Sequence, residues 1–222
     1  VEYLDVMTDA IRIDGLTVNF GGVHLFSDLT LAVAHGEKTT LTGPSGSGKS
    51  TLLRCIMGFA PCAGGNVFVN GENVTHQNIW QVRGQLAYVA QEPELGEGMT
   101  RDALTRPFSY RINRRLAYDE QAALRLFAAF LLPVALLEKP AGALSGGEKQ
   151  RVALIAALLL QRPILLLDEA ASALDNASKQ AVRDYLCARD DLTILSVSHD
   201  IREFALSGAI ANMTEIQQET PS

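Results

Sequence analysis

The chain has 222 residues, 47% of them hydrophobic and 20% charged, which is the balance of a folded globular protein and excludes a disordered one. A formal net charge of −6 leaves none of the basic surplus with which nucleic-acid binders neutralise phosphates, so no nucleic-acid partner is expected. Three cysteines without CxxC spacing fit neither a disulfide framework nor a zinc site, and point to a reducing, cytoplasmic compartment.

In chain order, the acidic start at Val1 to Asp5 lacks the layout of a signal peptide, and no export is expected from it. Residues 11–20, 25–34 and 66–70 read as strands. The glycine-containing turns between them, at Gly21-Gly22, His35-Gly36 and Gly64-Gly65, are hairpin signals of the antiparallel kind. Residues 38–42 read as a short strand, followed by a glycine loop and a helix from Lys49 to about Gly58. From Thr100 to about Ala143, alanine, leucine and arginine at helical spacing predict a helical insertion. Beyond Gly146 the periodicity predicts a helix over 148–160, a strand over 164–168, a helix over 179–188 and a strand over 193–198. Short apolar strands alternating with helices predict a parallel sheet covered on both faces, hence an α/β fold. The most apolar stretches, Leu126 to Leu137 and Val152 to Leu160, fall short of the ~20 residues a bilayer crossing requires. The last six residues, from Gln217, read as a frayed tail.

Gly43-Pro44-Ser45-Gly46-Ser47-Gly48-Lys49-Ser50 matches G-x-x-x-x-G-K-[ST] in full, between a predicted strand and a predicted helix. The backbone N–H groups of such a loop, with the helix N-terminus behind them, hold phosphate oxygens. Lys49 then reaches the β- and γ-phosphates, Ser50 offers its hydroxyl to Mg²⁺, and Thr51 follows in the same turn. The apolar strand ending at Asp168-Glu169 places two carboxylates where open parallel sheets bind ligands. Asp168 is the candidate to hold Mg²⁺ through water, and Glu169 the candidate to polarise an attacking water. A lone histidine is more often structural than catalytic. His199, however, ends a second predicted parallel strand and is read as a γ-phosphate contact.

Leu144-Ser145-Gly146-Gly147-Glu148 resembles the signature motif of the ATP-binding-cassette (ABC) ATPases, although by spacing alone Ser145 and the glycines also read as a helix N-cap. The resemblance runs from Ile11 to about Met213. It implies a P-loop NTPase core of mainly parallel sheet with an antiparallel β-subdomain and a helical insertion. The whole chain, residues 1–222, then forms one domain, with core segments at about 11–91 and 144–213 and a helical subdomain at about 92–143. The resemblance further implies that Ser145, Gly146 and Gly147 bind the γ-phosphate of ATP held by a second copy of the chain. Gln91 looks like the Q-loop glutamine that contacts Mg²⁺ and the attacking water. Ser172 to Asp175 looks like the D-loop that crosses the dimer axis, with Asp175 beside the nucleotide. Phe20 stands where an aromatic stacks on adenine, and a core role is its equal alternative. Ala156 and Ala170-Ala171 depart from the commoner arginine and Pro-Thr or Ala-Thr.

The expectation is thus an Mg²⁺-dependent ATPase that forms an ATP-dependent dimer and powers a separate transmembrane permease. It would sit peripherally on the cytoplasmic face of the cell's inner membrane. The compact size and the stretch from Gln91 through the 144–151 motif look most like small exporter subunits linked with iron or metal export. The alternative is a soluble regulatory or nucleic-acid-associated ABC module, but such relatives tend to carry two cassettes, a coiled-coil insertion or zinc modules that this chain lacks.

Overall fold

The computed structural model describes residues 9–20, 23–199, 204–206 and 208–216. The alternating amino-terminal segments form an antiparallel sheet in which β1 (Asp9–Phe20) lies between β2 (Val23–Ala34) and β4 (Gly64–Val69), with β5 (Glu72–Asn73) at the edge. One face of β1 buries Ile11, Ile13, Leu16 and Val18. The strand that was predicted from residue 66 begins earlier, because Gly64 pairs with Thr17 and Gly65 forms a bulge within the strand instead of a turn before it. A Cβ on Gly65 would stand 2.3 Å from the carbonyl oxygen of Gly15, an approach open only to glycine.

The second sheet has five strands, all parallel, in the order β6 (Leu86–Val89), β7 (Ile164–Asp168), β8 (Thr193–Val197), β3 (Lys38–Thr42) and β9 (Ile210–Asn212). It is buried on both faces, and β7 shows how. Ile164 and Leu166 enter a core shared with the antiparallel sheet and α1 (Lys49–Ile56), while Leu165 and Leu167 enter a core shared with the later helices. Each such leucine or isoleucine contributes about 1.5–3 kcal/mol of burial free energy.

The later helices are α5 (Gly146–Leu159) and α6 (Asn176–Cys187). Both begin two or three residues before the periodicity suggested, since Ser145 and Asp175 cap them and draw the intervening residues into the first turn. The helical insertion is more broken than predicted. It contains α3 (Thr100–Thr105) and α4 (Glu120–Ala129), joined and followed by short 3₁₀ turns at Pro107, Pro133 and Pro140, where proline withholds the N–H that a longer helix needs. Arg151 binds the insertion to the core by donating to the carbonyl of Phe130 at 3.0 Å. The short strands β6 and β9, together with α2 (Ile79–Arg83) and α7 (Met213–Ile216), have no counterpart in the sequence reading, being too brief to show a period.

Candidate active site

The carboxyl ends of β3, β6, β7 and β8 share one edge of the parallel sheet, the edge at which open α/β sheets bind ligands. From β3 the chain enters the glycine loop, where Gly46 and Gly48 take φ values of 79° and 92° that side chains with a Cβ avoid. Nothing lies within 4 Å of where a Cβ on Gly46 would stand, so the loop is open on that side, whereas one on Gly48 would meet the Phe26 ring at 2.9 Å. Gly48 caps α1 without a side chain, which leaves the first-turn N–H groups directed into the loop. The hydroxyl of Ser47 is buried there without a hydrogen-bond partner. A loop of inward donors with an unsatisfied hydroxyl fits an anion with several oxygens.

Lys49 is buried at the base of this loop, and its Nζ donates to the carbonyls of Gly43 and Pro44 at 2.7 and 2.8 Å. Burial pulls its ammonium below the usual lysine pKa, against the opposing pull of the Glu169 and Asp168 charges. Ser50 donates from Oγ to Oδ1 of the buried Asp168 at 2.8 Å. The other carboxylate oxygen accepts from the hydroxyl of Tyr88 at 3.1 Å. Burial, reinforced by that carboxylate, pushes the Tyr88 phenol up to about 12. Tyr88 was read only as part of the segment leading to Gln91, and it proves to be a direct partner of Asp168.

Glu169 follows β7 with φ at 49°, unusual for a residue with a Cβ, and is held there as its N–H donates to the carbonyl of Val197 at 3.1 Å. Gln91 donates from Nε2 to Oε2 of Glu169 at 2.9 Å, and Nε2 of His199 lies 2.5 Å from Oε1. The residues singled out on three separate strands therefore meet at one carboxylate.

Behind this carboxylate lies a residue to which the sequence reading gave no role. Gln150, 2% exposed on α5, donates from Nε2 to the carbonyl of Gln91 at 3.0 Å and to Oγ of Ser172 at 3.1 Å. Its Oε1 accepts from the N–H of Ala173 at 3.0 Å. One amide thus ties the segments after β6 and β7 to α5. A glutamine on the helix face that also carries Leu154 and Ala157, both buried, is the signal that could have found it.

Ser145 caps α5 in a reciprocal box with Glu148. The Ser145 hydroxyl accepts from the Glu148 N–H at 3.3 Å, and Oε2 of Glu148 accepts from the Ser145 N–H at 2.7 Å. Gly147 packs so tightly that a Cβ there would stand 2.8 Å from the carbonyl oxygen of Ala173. Asp175 caps α6, its oxygens accepting from the N–H and hydroxyl of Ser178 at 2.9 and 2.8 Å, and those bonds hold its carboxyl below the usual range. The side-chain bonds of Ser145 and Asp175 thus stay within their own helix caps. The side chain of Phe20, the expected adenine stack, lies outside the described residues.

Residues 26–172 match the family model described as ABC transporter, a span that holds the glycine loop, Gln91, the 144–148 motif and the carboxylate pair. The chain belongs to the ABC transporter ATP-binding family. ATP binding and hydrolysis are what the family does with such a loop and strand end. The cassette is 30% identical over 206 residues to the energy-coupling factor transporter ATP-binding protein EcfA1 of Streptococcus thermophilus, covering 90% of this chain and 73% of the relative. It is 34% identical to the sulfate/thiosulfate import ATP-binding protein CysA of Ralstonia nicotianae, covering 94% of this chain and 58% of the relative. Its fold matches a solved dimeric bacterial ABC transporter cassette, MJ0796, with a TM-score of 0.76 at 24% identity, over 91% of this chain and 94% of that one.

Proposed function

We propose that this cassette is the Mg²⁺-dependent ATPase subunit of a transporter, in which two copies enclose ATP at their interface and drive a separate transmembrane permease. The observation that carries this reading is the meeting of Lys49, Ser50, Gln91, Asp168, Glu169 and His199 at one sheet edge. The triphosphate lies along residues 43–51, its oxygens replacing the Gly43 and Pro44 carbonyls as acceptors for Lys49 and taking up the unpartnered Ser47 hydroxyl. Phe20 stacks on adenine. The oxygens of Ser50, Asp168 and Gln91 form a hard donor set that suits Mg²⁺, whose charge would neutralise the β- and γ-phosphates. Glu169 aligns the attacking water and accepts its proton, with Gln91 and His199 fixing the carboxylate and His199 also reaching the γ-phosphate. Ser145, Gly146, Gly147 and Asp175 present the complementary half of the site to the nucleotide of the second copy. Gln150 is a positioning residue that carries the state of Gln91 and Glu169 to the 172–175 segment.

An exposed concave surface supports a permease partner. Trp80, Tyr110 and Ile112 are 68%, 53% and 42% exposed and line a cavity of about 800 Å³ with Arg111, Arg114 and Arg115. Exposed aromatic and arginine side chains around a concavity are the composition of a protein interface. No helix among the described residues is long and apolar enough to cross a membrane. The cassette then sits peripherally on the cytoplasmic face of the inner membrane. Cargo and direction belong to the permease. The metal-export reading rests on compact size and motif resemblance, and the curated relatives include a protein named for import.

The test is Glu169→Gln. ATP turnover falls by about 10²–10⁴-fold, the usual contribution of a general base. With ATP and Mg²⁺ the variant also shifts from monomer to dimer in light scattering. Turnover at the parent rate would overturn the role of Glu169, and tight nucleotide binding without dimerisation would overturn the shared site.

A further inference from the structure

Cys55 and Cys62 are absent from the chemistry above, yet the fold brings them together. Cys55 stands in the last turn of α1 and is 2% exposed, and Cys62 lies in the connection from α1 to β4 and is exposed. Both line one cavity, where the thiols lie near enough for each to shift the titration of the other, and the S–H of Cys62 donates to the carbonyl of Ala60 at 3.9 Å. The chain reverses between them at Gly58, whose φ of 64° admits the turn, so two sulfurs distant along an extended chain become neighbours. Cys187, on α6, is not part of this pair.

We propose that Cys55 and Cys62 form a reversible thiol–disulfide site, in which exposed Cys62 reacts first with a peroxide and buried Cys55 resolves it. The asymmetry of the pair sets that order. The neighbouring Cys55 thiol holds the Cys62 thiol down at about 7, while Cys62 and burial together push Cys55 well up. The thiolate is the nucleophile, so the accessible sulfur is also the activated one. The Cys62 sulfur attacks one peroxide oxygen, the O–O bond breaks, and water leaves after protonation, giving the sulfenic acid. The Cys55 sulfur then attacks the Cys62 sulfur, the S–O bond breaks, and a second water leaves. Two thiols lose two electrons and two protons, and one hydrogen peroxide becomes two waters. A dithiol reverses the bond by exchange, as befits the transient disulfides of reducing compartments. The product ties the end of α1 to the strand connection, on the helix whose first turn carries Lys49 and Ser50.

The experiment treats the full chain with hydrogen peroxide, quenches it, alkylates free thiols and maps the peptides by mass spectrometry. The expected product is a Cys55–Cys62 linked peptide, with titratable thiols falling from three to the single Cys187 and recovering with dithiothreitol. Cys55→Ser should stop at a Cys62 sulfenic acid that dimedone traps, and Cys62→Ser should leave Cys55 as a thiol at the same dose. If the parent chain instead accumulates oxidised Cys62 beside a free Cys55, or links Cys62 between chains, the proposal is overturned.

Discussion

The strand edge that carries Lys49, Asp168 and Glu169 and the start of α5 that carries Ser145 and Gly147 are both polar and rich in glycine, yet they are built differently. At the strand edge, side chains from four strands bond across the molecule, with Asp168 and Lys49 buried and each carboxylate shared between two partners. At the start of α5 the bonds are local, running from Ser145 to Glu148 and back, and Ser145 and its neighbours stay close to the surface. A site assembled by tertiary contacts holds charges in place before any ligand arrives. A motif built by a helix cap is complete in a few residues and is free to face another molecule. Gln150 joins the two, since it touches the strand-edge segments from a position on α5.

The largest break in this comparison comes from Lys49→Ala. It removes charge-assisted hydrogen bonds worth about 1.5–3 kcal/mol each, so nucleotide affinity by calorimetry should weaken by roughly 10- to 150-fold for one such bond lost. The fold should persist, because the hydrogen bonds Lys49 makes among the described residues go to two loop carbonyls and tie no separate element of the fold to it. An affinity within twofold of the parent would remove Lys49 from the phosphate site.

Gln150→Ala probes the link between the regions. Leaving the N–H of Ala173 without its acceptor costs about 1–3 kcal/mol, visible in urea unfolding. Turnover should fall with nucleotide affinity retained, a split that a purely structural glutamine would not produce.

The smallest effect belongs to the cap of α5. The N–H of Ser145 holds the Glu148 carboxyl below its usual range, helped by the Ser145 hydroxyl and by Lys139. A depressed folded-state pKa adds stability that is present above the ordinary glutamate value of about 4.3 and is lost as pH falls through the lower folded value. Glu148→Gln should therefore flatten the acid limb of the stability curve slightly while leaving the neutral region near the parent. An unchanged acid limb would show that the box contributes nothing.

Much of this site was legible in the chain because its pieces are contiguous. The glycine loop with Lys49 and Ser50, the apolar run ending at Asp168-Glu169 and the 144–148 motif are each a few residues long, and each carries its chemistry in local spacing. Hydrophobic alternation likewise announced the antiparallel hairpin and the buried parallel strands. The helix starts at 146 and 176 were missed by two or three residues because capping, a matter of side-chain geometry, set them and periodicity did not.

By itself the sequence determined the α/β class and set out the glycine loop and the candidate carboxylates, since backbone propensity and hydrophobic period act between neighbours. Only the tertiary structure decided that Tyr88 would serve Asp168, that Gln150 would span three segments and that Cys55 would meet Cys62. The first two depend on strand order, which sets β6 beside β7 and lays α5 behind them, and the third on the turn at Gly58. Contacts of that kind arise from how apolar faces pack across the whole chain, and a side chain carries no local mark of the partner that packing will bring to it.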